Sequence, residues 1–117
     1  MHLKAGERTD FVAVPGGIES MTLADRVPKD FNFFRRRIAS LVDAHGTRRI
    51  VAIAHQDCAW YHARAIGAAS IDLRSQQIAG LQRAARLLRE MFEGVVVETY
   101  FARLTTMPPE QVVFEAV

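Results

Sequence analysis

Residues 50–54 read Ile-Val-Ala-Ile-Ala, five apolar side chains in succession. The run is too short for an ordinary helix, and it lacks the polar alternation of a strand with one wet face. It suits a strand covered on both faces, as in parallel sheets, and parallel strands need a crossover segment between them. The following residues supply one. Ile78, Leu81, Ala85, Leu88 and Phe92 predict a helix over 74–93 with Gly94 as its stop, and Val95 to Phe101 predicts the next strand. Upstream, the apolar run 11–14 ends in Pro15-Gly16-Gly17 and reads as a strand entering a tight loop. Residues 18–29 read as a short helix or loop. Asp30 is placed to cap a helix over 31–45 that carries Phe31, Phe34, Ile38, Leu41 and Val42 on one face and stops at Gly46. Met107-Pro108-Pro109-Glu110 breaks the chain, and Gln111 to Glu115 predicts a last strand, antiparallel to its predecessor. The expectation is one α/β domain over 1–117. Its open, mostly parallel sheet has strands 11–14, 50–54 and 95–101 as neighbours and is flanked by helices.

Composition narrows the class. The 117 residues suit one domain, and a net charge of +2 gives no argument for nucleic acid. The lone cysteine, Cys58, permits no internal disulfide, so a reducing compartment is expected. The first ten residues carry Lys4, Glu7, Arg8 and Asp10 and lack the apolar core of a secretion signal. No apolar run approaches the roughly 18 residues that span a bilayer. A cytoplasmic protein without a membrane segment is expected.

Ligands of open α/β sheets bind beyond the carboxyl ends of the strands. His55, Gln56, Asp57 and Cys58 follow the strand 50–54 directly, and the Gly16-Gly17 loop is placed to face the same crevice. A His-x-x-Cys pair offers an imidazole nitrogen and a thiolate to one ion, a donor set that zinc favours. The same spacing also suits a buried, inert Cys58 beside a hydrogen-bonded His55. Asp57 either orients a metal ligand, binds the ion itself or caps a helix beginning near Ala59. Trp60 and Tyr61 line a pocket, fill a dimer interface or pack in the core.

The segment from Ile50 through Ala54, followed by His55-Gln56-Asp57-Cys58-Ala59, resembles the β-class carbonic anhydrases, whose apolar strand leads into His-x-Asp-Cys-Gly. Phe11 to Gly17 and Val95 to Phe101 resemble strands of the same family, so that the resemblance spans about residues 9–104. It implies that His55 and Cys58 are zinc ligands and that zinc acidifies a bound water for attack on carbon dioxide. It implies dimers, and carbon dioxide, bicarbonate or another small anion as ligand. The family's other cysteine and an Asp-Arg dyad come from a Cys-x-Asp-x-Arg strand with no counterpart here, and Ala59 replaces the glycine. An incomplete zinc site with weak or no hydratase activity is therefore expected. The gap left by that strand is to be filled by upstream sequence, by residues 1–8 or by a partner subunit.

Three functions follow. The first is a zinc hydratase whose third ligand comes from elsewhere, with His62 as one candidate. The second is a non-catalytic ligand-binding or interaction domain that keeps the fold. The third is a nucleic-acid accessory protein using Arg35, Arg36 and Arg37 with Arg83, Arg86 and Arg89, a reading that no nucleic-acid motif supports. The large apolar side chains of helix 31–45, together with Trp60 and Tyr61, add to the expectation of a homodimer or larger assembly.

Overall fold

A computed structural model describes residues 7–14, 16–22, 28–60 and 72–117. In chain order they form a 3-10 helix η1 (Gly17–Thr22), helix α1 (Pro28–His45), strand β1 (Arg49–His55), helix α2 (Leu73–Met91), strand β2 (Val96–Leu104) and strand β3 (Val112–Ala116). β1 and β2 run parallel, with Arg49 opposite Val96 and His55 opposite Ala102. β3 lies antiparallel on the other side of β2, with Tyr100 opposite Ala116 and Leu104 opposite Val112. The result is a small α/β fold with a three-strand sheet in the order β1-β2-β3.

Three expectations are corrected. The sheet is mixed, with one parallel and one antiparallel pair, rather than mostly parallel. Residues 11–14 form no strand, and Phe11 is 88% exposed. An apolar run becomes a strand only where a neighbour takes up its backbone groups. Here the Val14 carbonyl instead accepts from Gly17 N at 2.9 Å, closing a turn into η1. Finally, Asp30 lies inside the first turn of α1 and does not cap it. Pro28, whose fixed φ suits a first helical position, begins the helix, and Asp30 meets the positive end of the helix dipole.

The other helix ends have clear causes. Asp72 caps α2, its carboxylate accepting from Ser75 N at 3.3 Å and Ser75 Oγ at 2.5 Å. These bonds hold the Asp72 carboxyl below its ordinary pKa. Gly46 and Gly94 take the positive φ that ends α1 and turns the chain into β2.

Most buried side chains of the sheet lie on one side. Met21 of η1, Phe34 and Ile38 of α1, Ala84, Ala85 and Leu88 of α2, and Val97 of β2 form one apolar cluster, with Ile50 and Val42 packed on it. Along β2, Val97, Thr99 and Phe101 are buried on this side, as the two-residue period of a strand requires. Arg74 of α2 lies over the Phe101 ring at 5.2 Å and donates to Glu115 at 2.8 Å, and Arg103 bonds the other oxygen of Glu115. Both helices thus cover the same face. The opposite face carries Val51, Ile53 and His55 from β1, the even-numbered residues of β2, and Val112, Phe114 and Ala116 from β3.

Two outcomes are expected. Leu88 is fully buried, and Leu88→Ala should cost about 2–5 kcal/mol in urea unfolding, a large part of a small domain's stability. The second concerns acid. Bonds from Arg103 and then Arg74 hold Glu115 below its ordinary value of 4.5, and the bond from Arg49 does the same for Glu98. Folded-state values below the unfolded ones mean that this stabilisation is complete above about pH 5 and is lost as pH falls through the folded values. The melting temperature should therefore drop on acidification below 4.5, and less steeply in Glu115→Gln.

A candidate functional site at the carboxyl end of the first strand

His55 is the last residue of β1, Gln56 and Asp57 form the turn after it, and residues 59–60 are helical. Much of this loop is committed to closing the backbone. Gln56 N donates to Ala102 O at 3.0 Å, and its side-chain Oε1 accepts from Leu104 N at 3.1 Å, which prolongs the pairing with β2 beyond β1 itself. Buried Gln77 of α2 donates from Nε2 to His55 O at 2.9 Å. Asp57 has φ 55, left-handed backbone that aspartate tolerates better than most residues.

The two expected zinc ligands lie in different surroundings. His55 is exposed, and its Nδ1 lies 2.8 Å from Gln56 O. Since a carbonyl only accepts, Nδ1–H is the donor, and in the neutral imidazole Nε2 then carries the lone pair that a metal ligand requires. Cys58 is buried. Among the described residues, no group of three or more His, Cys, Asp or Glu side chains is placed to hold a metal ion. Zinc fills four positions, and a catalytic zinc usually takes three protein ligands plus water. The described donor set therefore does not by itself build the zinc centre that the resemblance implies. His62 and Tyr61 lie outside the described residues.

The glycine loop sits against the same strand end. Gly16 and Gly17 have φ 77 and 60. A Cβ on Gly16 would stand 2.6–2.9 Å from three ring atoms of Trp60, so the indole lies directly on the Gly16 backbone. Gly17 faces the carbonyl of Ile53. Gly16, Ile18, Glu19, Ile53, Ala54, Gln77 and Leu81 line a small cavity with space for about one water molecule. Gly16, Gly17 and Trp60 therefore meet near the end of β1.

Sequence reasoning missed Gln56 and Gln77. Gln56 stood at the variable position of a motif. Gln77 was an uncharged polar residue in a helix, and its one available signal was its place among the apolar residues of the buried face.

No protein-family model matches the chain, and neither does any curated protein or solved structure.

Gly16→Ala should be destabilising, because it forces both a left-handed alanine and a clash with an aromatic ring. The expected cost is about 1–3 kcal/mol in urea unfolding. Trp60 is the only tryptophan, so its fluorescence should change with the same substitution. Unchanged stability and emission would mean that the loop and Trp60 are not in contact.

Proposed function

We propose that this chain is a carbonic-anhydrase-like domain without a working zinc centre of its own, and that it acts through a binding surface rather than by chemistry at His55. One observation carries this reading. Helices cover one face of the sheet, and the other exposes apolar side chains from all three strands, among them Ile53, Val96, Leu104, Val112 and Phe114. Solitary exposed apolar residues are ordinary, but contiguous apolar patches of several hundred Å² mark interaction sites. The strand-end loop supports the same reading from the other direction, since its polar groups close backbone pairing and its cysteine is buried. No helix among the described residues is long and apolar enough to cross a membrane, so nothing there offers a transmembrane segment as the cover.

The free Nε2 of His55 favours a second reading, in which His55 and Cys58 hold zinc with a third donor from elsewhere. The two readings part in a stopped-flow assay of carbon dioxide hydration on zinc-loaded protein, run beside His55→Ala and Cys58→Ser. The proposal expects no turnover above background and zinc that a chelator strips readily. Robust turnover abolished by either substitution would overturn it in favour of the hydratase.

A further inference from the structure

We infer that the outer edge of β3 takes up an extended segment of another protein as a fourth strand, and that this segment alternates apolar with acidic side chains. The inference rests on the binding-surface reading and names the chemistry of the partner.

Register decides which backbone groups of β3 are committed. Val117 N donates to Thr99 O at 3.1 Å, and Thr105 N donates to Gln111 O at 2.9 Å. Antiparallel pairing alternates, so Gln111, Val113, Glu115 and Val117 turn their backbone groups toward β2. Val112, Phe114 and Ala116 turn theirs the other way. β3 ends the strand order β1-β2-β3, and among the described residues no backbone group bonds this outer side. Val112 is 57% exposed, Phe114 43%, and Ala116 is exposed as well. Such a row of N–H and C=O groups is a template for one more strand. The far edge of the sheet differs. On the outer side of β1, Gln77 of α2 donates to His55 O, and Gly17 of η1 stands against Ile53 O.

The edge is also unguarded. Proteins blunt exposed edges with proline, lysine or an unmatched charge. Gln111 to Val117 reads Gln-Val-Val-Phe-Glu-Ala-Val, without proline or lysine. Its one charge, Glu115, lies on the helix side and is matched by Arg74 and Arg103.

The flanks specify the incoming side chains. A strand laid on β3 sends alternate residues to the two faces of the sheet. On the open face they meet Val112, Phe114 and Ala116, which favours apolar and β-branched partners. On the other face they meet Val113 and the rim where Arg74 and Arg103 hold Glu115. The side chains of these arginines are 52% and 40% exposed. Each guanidinium gives one bond to Glu115 and keeps further N–H donors for a second acceptor. Asp72, two residues before Arg74, is taken up by Ser75. A carboxylate on the added strand suits the remaining donors, whereas a lysine there is repelled.

The probe is a labelled synthetic peptide of about eight residues that alternates valine and glutamate, beside a counterpart with lysine for glutamate. Binding to the full chain is read by fluorescence anisotropy up to about 1 mM, and its location by amide hydrogen exchange. The expected result is saturable binding of the glutamate peptide and about tenfold weaker binding of the lysine peptide. Exchange should slow at the Val112, Phe114 and Ala116 amides, whereas Val113 and Glu115 are already slow in the free protein. Ala116→Pro removes an outward donor and no bond to β2, so it should weaken binding about tenfold with far-UV circular dichroism unchanged. Absence of binding at the highest concentration, or slowed exchange only outside β3, would overturn the inference. Equal affinity for the two peptides would overturn the acidic partner. Slowing at the same amides that grows with protein concentration and needs no peptide would also overturn it, because a second copy would then hold the edge. Each of these outcomes leaves the binding-surface reading standing, and only hydratase turnover in the assay above removes that reading.

Discussion

Met21 is 1% exposed and packs with Phe34 and Ile38 of α1, Leu88 of α2 and Val97 of β2. This packing joins elements that otherwise stand apart. η1 touches α1, α2 and β1, whereas no Cα of α1 comes close to α2. The short helix is therefore the wedge on which the helix layer is assembled. It is held there by the turn at Gly16 and Gly17, whose positive φ values redirect a chain arriving from residues 11–14. With the wedge in place, α2 can lay Ala84, Ala85 and Leu88 against the parallel strands, and the end of β1 is set against the glycine loop.

Much of this was legible because the signals were local. The apolar run 50–54, the 3.6-residue period over 74–93 and the glycines at 46 and 94 each announce their own element, and the structure places β1, α2 and β2 within two or three residues of the expected bounds. The proline break and the antiparallel last strand were equally local. The failures were not. Whether Phe11 to Val14 pairs depends on a distant strand, and hydrophobicity says nothing about whether one is available. The parallel character of the whole sheet was inferred by extending one pair to a third strand that does not exist among the described residues. A short segment with one methionine gave no hint that Met21 would be buried within the helix layer.

The strand-end loop was half legible for a similar reason. Its position beyond β1 follows from strand length alone, and so does the approach of the glycine loop. The roles of its residues do not, because they are set by partners far along the chain. Gln56 answers to Leu104 and Ala102, and Gln77 reaches back to His55 O from the opposite side. A motif read as donor, spacer, carboxylate and thiol is, in three dimensions, largely a device for ending one strand while keeping its neighbour paired. That physical use accounts for a glutamine at position 56 without reference to a metal.

The openness of the second sheet face follows from one register choice. A strand alternates its side chains, so a slip of one residue in β3 would send Val113 and Glu115 outward and bury Val112 and Phe114 beneath the helices. On hydrophobicity alone that slip would be favoured, since it puts a phenylalanine inside and a glutamate in water. The observed register is held by charge instead. Glu115 accepts from Arg74 of α2 and from Arg103 of β2, and Arg74 also stacks on Phe101. Val117 N donating to Thr99 O at 3.1 Å continues the same register past the strand end. A carboxylate partnered by two guanidinium groups at the rim of the helix layer thus fixes which side of β3 faces the helices, and it commits Phe114 to the opposite side. The apolar face is therefore not surface left over from packing. It is specified by an ion-pair cluster on the other side of the sheet, which ties the electrostatics of one face to the apolar character of the other.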